Sequence, residues 1–283
     1  MSGLNISLGY FISMVLLCVA TRILFTRWWR RWDFLAEFFA AFAIAACRLE
    51  VQTIAEVGQW ASGLGRDVTL TMLFVALVVH GSILERFTGN PSVTLMRFLQ
   101  RDAGVLSVIL GVSGQLLGAH LALLLTELYW GMELTDMHLI KNLMASECTP
   151  SLKTTLLQGT FAEAVSALAF HLIDLGLQHR SQLLRVPLLA LTLSFLAHVA
   201  TEYTAGYANP SIAYALTFSC PGFSFSQYAL VYWFGPLLGM TLALFLYMGH
   251  IPLLFSRNLL YTQKSRFRVP KGKSSGEKEK KTK

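Results

Sequence analysis

The chain has 283 residues, of which 54% are hydrophobic and only 14% are charged, and its formal net charge is +7. Soluble domains carry roughly 25% charged residues, so this composition excludes an ordinary soluble globule. The mean hydropathy of +0.53 agrees with that exclusion. The sequence therefore predicts a protein embedded in a lipid bilayer.

Seven apolar stretches approach the roughly 20 residues that a helix needs to cross the bilayer core. They cover residues 6–25, 34–54, 68–84, 104–125, 155–177, 186–200 and 227–247. We predict an all-α membrane protein with six transmembrane helices. The stretch 6–25 is a possible extra N-terminal helix, which either spans the membrane or lies in its interface.

Basic residues indicate which loops face the cytosol, because cytosolic loops carry an excess of Lys and Arg. They are Arg22, Arg27, Arg30, Arg31, Arg86, Arg97, Arg101, Arg180, Arg185 and the tail from Arg257 onward. The connection 127–153 is mainly acidic, so we expect it on the lumenal or extracellular side. The tail is predicted to be disordered, and a cytosolic flank rather than nucleic-acid binding explains its charge.

One tripeptide occurs twice, as Asn90-Pro91-Ser92 and Asn209-Pro210-Ser211. Asn is a favourable N-cap and Pro is the preferred first helical residue, so each copy predicts the start of a half-helix, over 91–99 and 210–218. Backbone groups at such a start cannot be satisfied by lipid, and the start must be buried in protein or line a water-filled path. Two starts indicate one pore that is approached from both sides.

The chain also contains an internal duplication. Glu37 begins the apolar helix that precedes the first tripeptide, and Glu163 begins the one that precedes the second. An odd number of crossings separates the halves, so the repeats 32–126 and 155–255 have inverted topology. The half-helix dipoles then place positive ends at the pore centre. We expect the Asn90 and Asn209 oxygens to be used in capping, which leaves their NH₂ groups free for a passing solute.

These features divide the chain into three parts. Residues 1–31 form an N-terminal hydrophobic segment with a basic linker, residues 32–255 form the channel domain, and residues 256–283 form a basic, disordered, cytosolic tail.

The chain resembles an aquaporin of the major intrinsic protein family over about 35–254. The two Asn-Pro-Ser tripeptides, called the two boxes from here on, depart from the family's usual Asn-Pro-Ala. Besides them, four stretches fit the family pattern. They are Ala36-Glu37-Phe38, Gln115-Leu116-Leu117-Gly118-Ala119, Tyr203-Thr204 and Tyr232-Trp233-Phe234-Gly235-Pro236-Leu237-Leu238-Gly239. The resemblance implies the aquaporin fold with two re-entrant half-helices, passage of water and small neutral solutes, a homotetramer, and no cofactor or metal.

The resemblance also identifies the filter positions. Orthodox water channels have an Arg three residues after the second Asn, where this chain has Ile212, and ungapped offsets place the other filter positions at Leu70, Ala197 and Gly206. None of these is aromatic, His or Arg. We expect a wider, more apolar filter that admits water and also glycerol or hydrogen peroxide; the opposing hypothesis is an apolar constriction that dewets and conducts poorly.

The carboxylates Glu37 and Glu163 have two interpretations. Intramembrane carboxylates can relay protons. The family resemblance implies a different role, in which they accept hydrogen bonds from the backbone of the re-entrant loops, and we favour this scaffold role.

The four cysteines, Cys18, Cys47, Cys148 and Cys220, show no metal-ligand spacing. Only Cys148 lies in a predicted lumenal loop, so we expect no internal disulfide. Cys220 resembles the cysteine that marks the unorthodox superaquaporins, which implies an intracellular membrane. Lys280 and Lys281 resemble an endoplasmic-reticulum retrieval signal, with lipid binding by an ordinary polybasic tail as the alternative. The plasma membrane is the alternative location.

We predict a passive channel rather than an enzyme, because we find no convergent set of nucleophile, base and metal ligands. Two alternatives remain. A secondary transporter also uses broken helices and inverted repeats, with Glu85 and Glu202 as the residues that could couple transport. The other is a poorly conducting aquaporin-like protein with a regulatory role.

Overall fold

The computed structural model describes residues 3–27, 32–61, 65–144, 148–218 and 220–248. The dilysine pattern, the tail 256–283 and the pair Arg30 and Arg31 lie outside these described residues. Every regular element within them is helical. The long helices are α1 (Gly3–Arg27), α2 (Asp33–Ala61), α3 (Arg66–Leu84), α5 (Val105–Trp130), α7 (Leu156–Leu177), α8 (Gln182–Val199) and α11 (Gly235–Tyr247).

Short helices complete the order of elements. They are α4 (Pro91–Leu99), α6 (Asp136–Leu143), α9 (Pro210–Ala213) and α10 (Phe225–Tyr228). The predicted half-helix 91–99 coincides with α4. The second half-helix is less regular, because α9 continues as a π-helical turn over Tyr214–Phe218. A second π-helical turn, Ala229–Phe234, joins α10 to α11 into one membrane-length element.

Six helical segments within the described residues are long and apolar enough to cross a membrane, and α1 is one of them. The helix α2 has the length, at 29 residues, but carries Glu37, Arg48 and Glu50. It contacts α1, α3, α5, α6 and α9, so protein rather than lipid surrounds it. This central position explains how it tolerates charges. The predicted all-α membrane fold is confirmed.

The extra N-terminal helix lies along the bundle and contacts α2 and α3. Near one end, the Ser7 hydroxyl donates to Glu50 at 2.6 Å. Near the other, Arg22 pairs with Glu85, the residue that follows α3, at 3.1 Å. The helix therefore spans the depth of the bundle rather than lying across one face.

Glycines bring the long helices into close contact in both repeats. A Cβ on Gly114 would lie 2.6 Å from the Phe34 carbonyl oxygen, and one on Gly235 would lie 2.9 Å from that of Thr160. Gly118 and Gly239 are tighter still, against the carbonyls of Phe38 and Ala164. The same small-residue contact thus joins α2 to α5 and α7 to α11, as expected of repeated halves.

Candidate functional site

Each half-helix begins at an asparagine that acts as its N-cap. The Asn90 Oδ1 accepts from the Ser92 N–H at 2.9 Å, and the Asn209 Oδ1 accepts from the Ser211 N–H at 3.0 Å. A proline follows each Asn as the first helical residue. The local sequence therefore produces two abrupt helix starts, as the capping preferences of Asn and Pro predict.

The two boxes also bind each other, which the sequence interpretation missed. The Asn90 amide donates to the Ala208 carbonyl at 3.1 Å, and the Asn209 amide donates to the Gly89 carbonyl at 3.3 Å. The expectation that both NH₂ groups are free was therefore wrong in part. An amide has two hydrogens, so one on each Asn remains for a solute.

The serines of the two boxes differ in their partners. The Ser211 hydroxyl lies 2.6 Å from the Gly89 carbonyl and 2.9 Å from the Asn209 Oδ1. The Ser92 hydroxyl is buried and has no hydrogen-bond partner among the described residues. The replacement of alanine by serine therefore adds a link between the boxes at one position only.

The two buried carboxylates support the irregular backbone before each box. Glu163 is fully buried and accepts from the N–H groups of Tyr207 at 3.1 Å and Ala208 at 2.9 Å. One oxygen of Glu37 accepts from the Gly89 N–H at 3.0 Å and from the Gln115 amide at 2.8 Å. Because all of these donors would otherwise be unpaired in a buried segment, the geometry favours the scaffold interpretation over a proton relay.

Three cavities follow one another through the bundle. An outer cavity of about 410 Å³ shares Ala197 and Arg48 with a narrow cavity of about 30 Å³. The narrow cavity shares Leu77 and Ile212 with an inner cavity of about 130 Å³, which is also lined by both box asparagines. The shared residues place the cavities in one row, with the narrow one between the other two. We call the residues around the narrow cavity the constriction.

The structure brings three of the four predicted filter residues together. Ala197, Gly206 and Ile212 line the constriction, whereas Leu70 lines only the outer cavity. The residue of α3 nearest to Leu70 that lines the constriction is Leu73, nearly one helical turn further along the helix. The offset that gave Leu70 thus identified the right helix but a position that lines the wider outer cavity.

The constriction also contains an arginine, which the expectation of a more apolar filter did not include. Arg48 lies on α2 and lines both the constriction and the outer cavity. No offset from the two boxes leads to this residue. An arginine inside the apolar stretch 34–54 was nevertheless a signal, because ionisable residues within the membrane are expensive and mark functional sites.

Cys148 and Cys220 form a disulfide with their Cα atoms 5.2 Å apart, so the expectation of no internal disulfide was wrong. The sequence interpretation placed only Cys148 in a lumenal loop. However, the half-helix that starts at Asn209 returns to the side from which the loop entered, and Cys220 follows it there. The Ser151 N–H donates to the Thr217 hydroxyl at 2.9 Å, which holds the two segments together.

Comparison with known proteins agrees with this architecture. The sequence model of the major intrinsic protein family matches residues 26–247. The chain is 41% identical to aquaporin-12 of Mus musculus over 97% of this chain and 96% of that protein. It is 38% identical to putative aquaporin-12B of Homo sapiens, covering 96% and 90%, and 28% identical to aquaporin-11 of Homo sapiens, covering 90% and 93%.

The two capped half-helices, which meet through hydrogen bonds between their boxes, and the row of cavities define a membrane channel. The chain belongs to the major intrinsic protein family. Within that family it is similar to aquaporin-12 and, at lower identity, to aquaporin-11, which are superaquaporins. The resemblance that the boxes and Cys220 predicted is thereby confirmed.

Proposed function

We propose that this protein is a passive channel for water and small neutral solutes such as hydrogen peroxide and glycerol. The observation that carries the proposal is the row of three cavities, the innermost of which is lined by both N-cap asparagines. The positive ends of two half-helices meet there, and each asparagine keeps one amide hydrogen for a solute oxygen. These donors suit water and disfavour cations.

The size of the constriction ranks the solutes. It is the smallest of the three cavities, at about 30 Å³ against about 130 Å³ and 410 Å³, so this is where passage is most restricted. Water is the smallest of the three solutes, hydrogen peroxide is slightly larger, and glycerol is the largest and meets the most resistance there. We therefore expect glycerol to be the slowest of the three.

A poorly conducting protein is the second candidate, and a specific observation favours it. Most of the constriction wall is apolar, including Leu73, Leu193 and Ile212. A narrow apolar segment can lose its water and close without any movement of the chain. Such a protein would act by a route other than conduction.

A secondary transporter has less support. Glu85 pairs with Arg22 at 3.1 Å, and Glu202 pairs with Lys153 at 3.8 Å. Glu85 lines the inner cavity beside the asparagines, where a coupling site would be expected, but it is already paired with Arg22; Glu202 is exposed and lines none of the three cavities. Each of the two carboxylates considered for coupling is therefore in an ion pair at an end of the bundle.

We further propose an intracellular membrane of the secretory pathway and a homotetramer in which each protomer has its own pore. A disulfide between Cys148 and Cys220 requires an oxidising compartment, and the endoplasmic-reticulum lumen is one. This supports the lumenal placement of the loop 127–153. The tetramer rests on the family resemblance.

The test is stopped-flow light scattering on proteoliposomes that contain the purified protein, with water, hydrogen peroxide and glycerol compared against empty vesicles. The control variant is Asn209→Asp, which adds a negative charge at the second cap and removes the amide donor. Fast water flux that this variant abolishes supports the proposal. No flux above the empty vesicles would favour the second candidate.

A further inference from the structure

One cation in the pore wall, Arg48, packs against an aromatic ring. Arg48 makes no hydrogen bond or ion pair among the described residues, and its guanidinium Cζ lies 5.3 Å from the centroid of the Tyr207 ring. The side chain is half-buried rather than enclosed. Its donors therefore face the space that the outer cavity and the constriction share.

The other charged residues that line the outer cavity are already engaged. Arg66 donates to the His198 carbonyl at 3.2 Å. Lys153 pairs with Glu202 at 3.8 Å, and Glu56 pairs with Lys141 at 2.5 Å. Arg48 differs from these neighbours because its N–H donors have no acceptor among the described residues.

We propose that Arg48 is the specificity-determining residue of the constriction, where it excludes cations and donates hydrogen bonds to the oxygen of a neutral solute. This inference rests on the proposed channel function and deepens it. In orthodox water channels the filter charge comes from the second re-entrant loop, at the position where this chain has Ile212. In this chain the charge comes from Arg48 on α2.

The surroundings explain how the charge is held there. Tyr207 offers the face of its ring to the guanidinium, and the negative face of an aromatic ring attracts a cation. The Glu163 carboxylate attracts Arg48 electrostatically although no ion pair forms. A guanidinium has five directed donors, and water in the cavity can satisfy those that the protein does not.

The wall opposite Arg48 is apolar, so the constriction has one charged side and one apolar side. Ile212, Leu73 and Ala197 are apolar and accept no hydrogen bond. A solute in this space therefore turns its oxygen toward Arg48 and its hydrocarbon part, when it has one, toward the leucine and isoleucine. Small neutral alcohols and peroxides have this chemistry, whereas a cation meets a fixed positive charge, and the residues that line the constriction include no carboxylate.

The experiment compares four variants in proteoliposomes, with water flux and potassium permeability measured on the same preparations. Arg48→Leu removes the charge, Arg48→Lys retains it, and the double variant Arg48→Leu with Ile212→Arg returns a guanidinium from the other side. Arg66→Leu removes a charge from the outer cavity only. We expect Arg48→Leu to raise potassium permeability relative to water by about tenfold or more.

The remaining variants separate the constriction from general electrostatics. We expect Arg48→Lys and the double variant to stay within about threefold of the wild type, and Arg66→Leu within about twofold, because salt screens a charge in the wide cavity. Cation exclusion that is the same in Arg48→Leu as in the conducting wild type would overturn the inference and leave the channel function intact.

Chemical labelling decides the case in which the wild type conducts nothing and the proposed function fails. An arginine-directed glyoxal reagent, added to the folded protein and followed by peptide mass spectrometry, reports whether the Arg48 donors are open to the outer cavity. Modification of Arg48 supports its pore-facing position. Protection of Arg48 while Arg66 is modified would overturn it.

Discussion

The hydroxyl of Ser211 donates a hydrogen bond to the carbonyl oxygen of Gly89 at 2.6 Å, across 122 residues of chain. Gly89 precedes the first box and Ser211 ends the second, so this bond joins the two halves at the pore centre. The same carbonyl accepts from the Asn209 amide at 3.3 Å. The usual alanine of the family could not make the serine bond.

Replacement of Ser211 by alanine should therefore lower stability, while the same change at Ser92 should not. Ser211→Ala removes a buried hydrogen bond and should cost about 1 kcal/mol, whereas Ser92→Ala removes a buried hydroxyl that has no partner among the described residues. Thermal unfolding of the purified protein in detergent measures both. Equal losses for the two variants would contradict the asymmetry.

Glu163→Gln should destabilise the protein more than Glu37→Gln. The two oxygens of Glu163 each accept from a different backbone N–H, and glutamine offers one oxygen, so one buried donor loses its partner at about 1–3 kcal/mol. A single oxygen of Glu37 accepts both of its hydrogen bonds, and glutamine can retain them; the ion pair that is lost, with the partly exposed Arg97 at 3.8 Å, contributes less.

The same pair of variants separates a scaffold from a proton relay. A scaffold predicts that water flux per folded channel is unchanged in both, with the loss confined to the unfolding temperature. Circular dichroism on heating, with stopped-flow flux normalised to folded protein, measures the two quantities. A proton flux in the wild type that either substitution removes would speak for the relay.

Gly118→Ala and Gly239→Ala should each weaken packing between long helices. A new methyl group would press on the backbone carbonyl of Phe38 or of Ala164, and backbone cannot move aside as a flexible side chain does. Overpacking of this kind typically costs about 1–3 kcal/mol. The expected result is a lower unfolding temperature for both variants.

Gly176→Ala is the matched control. Gly176 lies in α7, and a Cβ there would meet no atom within 4 Å. Because alanine favours a helix over glycine by up to about 1 kcal/mol, this variant should be neutral or slightly stabilised. If all three substitutions had the same effect, close helix contact would not explain the glycines.

Sequence and structure agree where the chemistry is local. The caps at Asn90 and Asn209 depend on residues within two positions, so propensity alone predicts them. Arg48 was missed because it lies on α2. The filter positions were placed by counting residues from the two boxes, and that count does not identify a residue that another helix contributes. The amide bonds between the boxes also depend on the meeting of the two halves, which neither half encodes by itself.

The disulfide is a further long-range feature, and it predicts a dependence on redox conditions. Cys148 and Cys220 are 72 residues apart, and in the chain-entropy account a loop of this size stabilises the folded state by about 4 kcal/mol. Reduction should lower the unfolding temperature of the wild type. It should not alter a Cys148→Ser, Cys220→Ser double variant, which starts from the lower value.

Peptide mapping under non-reducing conditions provides the direct measurement. We expect one cross-linked peptide pair that contains Cys148 and Cys220, while Cys18 and Cys47 stay as free thiols. Because Cys18 is buried and Cys47 half-buried among apolar side chains, both should react with a thiol reagent only after unfolding. Alkylation of Cys148 and Cys220 in the native protein would contradict the bond, and with it the placement of this loop in an oxidising lumen.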